Sequence, residues 1–234
     1  MREEENLTNY YTQFNLDGNI PTAHLAYLEH LKNDTNIQPS VIYDIGSAIL
    51  HWTKNAKRIW PNSKVIAFEA VNQVENFYKN YGIDYAIGVF TDEDNKELIF
   101  YEDPICLGGN SYYRENKNYS PAAETIYSDE KGKKRIGMTI DTIVSINNFP
   151  LPDFVKIDVQ GAEIDILKGM KKTLKNVKNL IVELQHVEYN LGAWNSKESI
   201  PFIESLGFKL IAPHNGNDYF SGNGPDADYH FERI

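Results

Sequence analysis

Four carboxylates stand at the ends of short apolar runs: Asp44 after Val41-Ile42-Tyr43, Glu69 after Val65-Ile66-Ala67-Phe68, Asp158 after Phe154-Val155-Lys156-Ile157, and Glu183 after Leu180-Ile181-Val182. One acid in such a place can simply cap the helix that follows. Four at one edge repel one another unless a cation, a ligand or a bound proton relieves them. Asp44-Ile45-Gly46 has the form of a first strand-to-helix turn, in which Gly46 lets a ligand approach the backbone with no Cβ in the way. Glu69 follows about 25 residues later, the spacing of an acid that accepts hydrogen bonds from ribose hydroxyls. Ser47, Ala70, Gly88 and Asp158, beside the same run ends, complete the expected cofactor contacts.

These features fit any nucleoside cofactor. The phosphate loop Gly-x-Gly-x-x-Gly is missing, because Ser47-Ala48-Ile49-Leu50 follows Gly46. Without those glycines a pyrophosphate cannot easily approach a helix N-terminus. S-adenosylmethionine carries no phosphate, so it fits better than NAD. An NAD-dependent oxidoreductase is the weaker enzyme reading. A fold that no longer binds cofactor is the non-enzyme alternative, and the Ser47–Leu50 stretch is its only support.

The elements that must position these groups alternate in type. Beyond the four runs, Tyr85 to Phe90 and Leu98 to Tyr101 read as strands. Trp52, Ala56, Ile59 and Trp60 share a helical face that Pro61 ends, and Asn72 to Tyr81 reads as a helix stopped by Gly82. Residues 161–175 place Ala162, Ile166, Met170 and Leu174 on one helical stripe. Ile200, Ile203 and Leu206 suggest a helix ended by Gly207. Phe208 to Ala212 and the alternating Ala227, Tyr229 and Phe231 are strands with no helix between them, so they should pair antiparallel. The expected fold is α/β: a mostly parallel, doubly wound, Rossmann-like sheet of the class I methyltransferase kind, closed by a C-terminal antiparallel hairpin. Residues 1–38 are expected to form a polar arm and a helix (Pro21 onward, with Leu25, Leu28 and Leu31 on one face) packed on a domain spanning 39–234.

Composition narrows the partners. The chain of 234 residues is 41% hydrophobic and 24% charged, which suits one globular domain, and its formal net charge is −10. No basic stripe suggests a nucleic-acid backbone as partner. The cluster Lys131, Lys133, Lys134 and Arg135 sits beside Asp129 and Glu130 and reads as a solvated loop. Cys106 is the single cysteine, so no internal disulfide can form. No apolar run resembles a signal peptide or approaches a membrane span, and a cytosolic protein without membrane insertion is expected. The Asn-x-Ser/Thr triplets at Asn6, Asn33 and Asn118 then read as chance matches. Oligomeric state is not legible.

Phe154-Val155-Lys156-Ile157-Asp158-Val159-Gln160-Gly161-Ala162-Glu163, followed by Leu167-Lys168-Gly169, closely resembles the signature of the FkbM methyltransferases. Asp141-Thr142-Ile143 resembles the element that precedes it in that family. Val41 to Gly46, Ala67-Phe68-Glu69, Gly108-Gly109-Asn110-Ser111 and Ile181 to Gln185 fall in the family's order, so the resemblance covers about residues 40–232. It implies S-adenosylmethionine-dependent O-methyl transfer, often to sugar hydroxyls or natural products. One departure lies at the first turn, where the family commonly has Asp-x-Gly-Ala-Asn-x-Gly and this chain has Leu50 in place of the last glycine.

Methyl transfer to oxygen requires alignment of acceptor, methyl and sulfur, and a base that takes the hydroxyl proton. Asp158 is the expected base, or the group that orients one, with Glu183 beside it and His186 as an alternative base that titrates near neutrality. Asp158 and Glu183 could also hold a divalent cation, but no tight ligand spacing demands one and none is assigned. His24, His30, His51, His214 and His230 are scattered and suggest no zinc site. Gly108 to Tyr113 suggests a lip over the site. Asn110, Ser111, Tyr112, Glu163, Tyr189 and Asn190 are the expected contacts to a small-molecule or glycan acceptor, with Trp194 and Tyr219-Phe220 on nearby loops.

Overall fold

A computed structural model describes residues 22–102, 107–121, 123–212 and 224–234. The polar arm, Pro21, Cys106, His214 and the Tyr219-Phe220 pair lie outside the described residues. Among the described residues, strands β1 (Val41–Ile45), β2 (Lys64–Glu69), β3 (Asp84–Ile87), β7 (Phe154–Ile157), β8 (Asn179–Gln185), β9 (Phe208–Ala212) and β10 (Asp226–Arg233) form one sheet in the order β3-β2-β1-β7-β8-β10-β9. The first five run parallel, and β10 runs antiparallel to both neighbours. The expected hairpin is present, with its second strand inserted between β8 and β9.

The parallel strands read as unbroken apolar runs because both faces are covered, and all four residues of β7 are buried. The helices are α1 (Thr22–Asn33), α2 (His51–Ile59), α3 (Glu75–Tyr81), a short α4 (Ala123–Ile126), α5 (Ile140–Asn147), α6 (Glu163–Lys168) and α7 (Ser196–Ser205). Tyr27, Leu28 and Leu31 of α1 join the same core cluster as Phe154 and Phe231. The alternation read in β10 proves to be buried on both faces. His230 is fully buried and bonded to Tyr27 Oη at 2.7 Å, because α1 covers what would otherwise be a solvated polar face. No helix among the described residues is long and apolar enough to cross a membrane.

Three expectations need correction. The stripe over 161–175 is not one helix: α6 ends at Lys168, and a 3-10 turn spans Thr173–Asn176. Gly169 is the break, since a Cβ there would lie 2.3 Å from the Thr91 carbonyl oxygen. The Asp141 carboxylate accepts the Lys172 and Thr173 amides at 2.7 and 2.8 Å, capping the second piece separately. The run Tyr85 to Phe90 splits at Gly88. Its second half, β4 (Val89–Phe90), leaves the main sheet for a small one in the order β4-β6-β5, with β5 at Lys96–Phe100 and β6 at Lys133–Met138. The basic cluster is therefore largely strand and not loop. Lys133 and Arg135 both pair with the buried Glu102 carboxylate, at 2.5 and 2.9 Å, which relieves their mutual repulsion along one face of β6.

The turn after β1 keeps a glycine-like path without the glycines. Gly46, Ala48 and Leu50 have φ of 83°, 43° and 67°. Leu50 is wholly buried in a cluster with Ala67, Val74, Tyr78 and Phe100. Left-handed backbone costs a branched residue about 1–2 kcal/mol, whereas deleting a buried leucine side chain costs about 2–5 kcal/mol. Packing wins. Leu50→Gly should therefore destabilise the chain by about 1–3 kcal/mol in urea denaturation, and a net gain in stability would refute this account of the turn.

Candidate active site

The sheet reverses its winding between β1 and β7, which is where a doubly wound sheet binds its ligand. The two strand ends are pressed together there. A Cβ on Gly46 would stand 1.7 Å from the Asp158 carbonyl oxygen, and Gly46 already adopts a left-handed φ, so only glycine fits. A cleft opens beyond this contact, walled by Gly46, Ala48, His51, Phe68, Glu69 and Ala70 on one side and Asp158, Val159 and Gln160 on another. Val89, Phe90 and Phe100 supply apolar surface, and Gly108 to Tyr112, without Gly109, close a third side. The lip read from the sequence is thus brought to the cleft.

Two acids face the cavity. Glu69 is buried, and burial pushes its carboxyl above the usual range. Its oxygens accept the amides of Ala48 at 2.9 Å and Ala70 at 2.7 Å, so the end of β2 and the first turn share one carboxylate. Asp158 keeps 36% of its side-chain surface open, enough to meet a ligand. Burial opposes its charge, but Lys156 and hydrogen bonds from Glu183 and Gln160 prevail and hold it below the usual carboxylate value. Glu183 moves the opposite way, raised by burial and by the Asp158 charge. Gln160 Nε2 donates to both acids, at 3.2 and 3.0 Å. The two neighbouring carboxyls are thus moved in opposite directions, Asp158 down and Glu183 up.

Other expected residues stand elsewhere. Asp44 is buried and accepts Thr53 Oγ1 at 2.5 Å, which ties β1 to α2, and burial pushes it up to about 6. Ser47 turns toward Tyr78, 2.9 Å away. Gly88 donates its amide to the Glu69 carbonyl at 2.9 Å and joins the cleft only through its neighbour Val89. Ser111 donates to the Gln160 carbonyl at 2.7 Å, and Tyr112 and Tyr113 both donate to Asp165, at 3.1 and 2.8 Å, so the lip is tied to α6. His186 is exposed, 2.9 Å from the Tyr229 hydroxyl, and is not among the cleft walls. Tyr189 makes a tilted ring contact with Tyr119, and Trp194 packs against Phe202 and Lys168. Asn190 is buried against the turn, where a Cβ on Gly161 would come within 2.8 Å of its own Cβ. Among the described residues no group of three or more His, Cys, Asp and Glu could hold a metal ion.

Sequence reasoning missed three participants. His51 lines the cleft, and its Nε2 is buried with no hydrogen-bond partner among the described residues. Gln160 bridges the acids from a left-handed φ of 56°. Lys156 is buried and lies 3.2 Å from Asp158 and 2.9 Å from Asp228. A lysine inside an otherwise apolar strand run was the available signal for it.

A parallel sheet finished by an inserted antiparallel strand, with acids at the switch point, defines a class I methyltransferase fold. The chain belongs to the FkbM methyltransferase family: the Methyltransferase FkbM domain matches residues 41–210. It is 26% identical over 162 residues to Methyltransferase 1 of Beauveria bassiana, covering 62% of this chain and 64% of that protein. It is also 26% identical over 152 residues to the hexuronic acid methyltransferase AglP of Haloferax volcanii, covering 63% of this chain and 56% of that protein. The match thus spans less than two thirds of either relative. Among solved structures, an O-methyltransferase family 2 protein of Planctomyces limnophilus, in complex with apigenin, superposes with a TM-score of 0.51 at 8% identity, covering 100% of this chain and 62% of that one, which shows a shared fold.

Glu163 holds the turn that carries Asp158. Its Oε1 accepts the amides of Val159 and Gly161, at 3.0 and 3.1 Å, and burial pushes its carboxyl up to about 7 from 4.5. A group raised in the folded state favours folding at low pH. Its contribution is complete below about 4.5 and is lost as pH rises through about 7. Glu163→Gln keeps the accepting oxygen without the charge. Urea denaturation at several pH values should give it a shallower loss of stability than wild type between pH 5 and 7, by at most about 1.4 kcal/mol per pH unit. Parallel profiles would refute the assignment.

Proposed function

We propose that this chain is an S-adenosylmethionine-dependent O-methyltransferase that methylates a hydroxyl of a sugar or glycan, with Asp158 as the base. The observation that carries this reading is the pair of acids, Glu69 and Asp158, on the walls of a cleft at the switch point whose lining, among the described residues, contains no Lys or Arg. That donor set suits a cationic nucleoside with ribose hydroxyls and disfavours a pyrophosphate. Glu69 would hold the ribose, with Gly46 and Ala70 beside it, while Phe68, Val89, Phe90 and Phe100 offer apolar surface to the base. When bound, the cofactor supplies a methyl group on a sulfonium, whose bonding electron pair returns to sulfur.

The chain's own residues orient the acceptor and manage its proton. Asp158 accepts the hydroxyl proton as the oxygen attacks, and Gln160 fixes the carboxylate's direction. Asn110, Ser111 and Tyr112, on the cleft walls, offer polar edges and an aromatic face of the kind that binds sugar rings. A hexuronic acid methyltransferase among the relatives supports a carbohydrate acceptor. The acidic lining favours a neutral sugar hydroxyl at this wall over an acidic one.

Calorimetric titration with S-adenosylhomocysteine tests the cofactor assignment. Saturable binding is expected, and no binding at millimolar ligand would sink it. Transfer of a labelled methyl group to a panel of neutral and acidic sugars tests the acceptor. In that assay Asp158→Ala should lose about 100-fold or more in turnover while its homocysteine-product affinity changes little. Unchanged turnover would remove Asp158 from the mechanism.

A further inference from the structure

Lys156 is not among the described residues that line the cleft, yet it is the cation beneath Asp158, Glu183 and Asp228. It sits inside β7 at 3% exposure, a place where an ammonium needs compensation. Its Nζ lies 2.9 Å from Asp228 Oδ1 on β10 and 3.2 Å from Asp158 Oδ2. Asp228 is itself buried and reaches His24 of α1 through its other oxygen, at 3.2 Å. The groups that face Lys156 are Asp44 from β1, Asp158 on its own strand's end, Glu183 from β8, Asp226 and Asp228 from β10, and His24 from α1. Five acids thus surround one fixed cation, and only Asp158 reaches the cavity wall.

A plain structural lysine would need only Asp228, whose carboxylate satisfies it within the sheet. The second contact is the informative one. It holds Asp158 Oδ2 from below, while Gln160 takes Oδ1 and also binds Glu183 Oε2. With both oxygens held, the side chain has a fixed direction, and the ammonium stabilises its anion over that of Glu183. We propose that Lys156 is a positioning residue that pins Asp158 in the cleft wall as the anion of the Asp158–Glu183 pair. The role assigned to Asp158 rests on the reading given under Proposed function. The placement of the charge does not.

The test uses the ligand-free protein. With side-chain carboxyls of Asp and Glu labelled with carbon-13, the titration of Asp158 is followed by NMR in wild type and in Lys156→Met, the signal being assigned with Asp158→Asn. Loss of the cation should raise the Asp158 midpoint by about one pH unit or more. Because Lys156→Met leaves the buried Asp228 with His24 alone beside it, the double variant Lys156→Met/Asp228→Asn, which removes both charges, is measured alongside and should show the same rise. Asp228→Asn alone should leave Asp158 low. An Asp158 midpoint unchanged in the double variant would overturn the proposal. Titration with S-adenosylhomocysteine is run on the same samples. Absence of binding by wild type would count against the methyltransferase reading, and the Asp158 midpoint would still decide the role of Lys156.

Discussion

The approach of Gly46 to the Asp158 carbonyl is the contact on which the site depends. Parallel strands of a twisted sheet diverge beyond their last ladder bond unless something ties their ends. Here the tie is backbone against backbone: the Asp158 amide bonds the Ile45 carbonyl at 2.9 Å, and the missing Cβ of Gly46 leaves room for the Asp158 oxygen. Everything on the cleft floor is referenced to that point. The first turn leaves it toward Ala48 and the Glu69 carboxylate. The Asp158–Gly161 turn leaves it in the other direction and is stapled by the Glu163 carboxylate.

Much of this could be seen in the sequence because it rests on local rules. Apolar runs ending in acids gave the parallel strands and the edge where they meet. Two consecutive terminal strands gave the antiparallel close. The errors arise where distant partners decide. Gly169 looks like any helix residue until Thr91 comes against it. Lys133 and Arg135 look solvated until Glu102 meets them. His230 alternates as a surface residue would, and only the docking of α1 buries it. Of the expected site residues, Gly46, Glu69, Ala70 and Asp158, read from run ends and spacing, and the Asn110–Tyr112 lip, read from its glycine-rich stretch, lie on the cleft walls. The burial of Asp44 and Ser47 and the outward turn of His186 depend on side-chain directions that no linear pattern carries.

The acids at the sheet edge also divide by purpose. Asp44 and Glu163 act within the protein, joining a strand to a helix and a turn to its own backbone. Glu69 does both, holding two loops while facing the cavity. Asp158 alone combines exposure to the cleft with a buried counter-charge. The repulsion among Asp44, Glu69, Asp158 and Glu183 is relieved by several separate devices: hydroxyl and amide donors, carboxyls raised by burial, and one lysine.

The helix α1 precedes the family-matched region 41–210, and β10 follows it. The matched region begins at the first residue of β1 and stops inside β9. A fragment cut at those limits would keep every described residue of the cleft wall and still lack the strand that pairs with β8 and the helix that covers it. Its β8 would become an open edge, a ready template for another chain, and Lys156 would lose Asp228. The unit that sequence similarity marks out is therefore smaller than the sheet that closes against β8 and supplies Lys156 with its counter-charge.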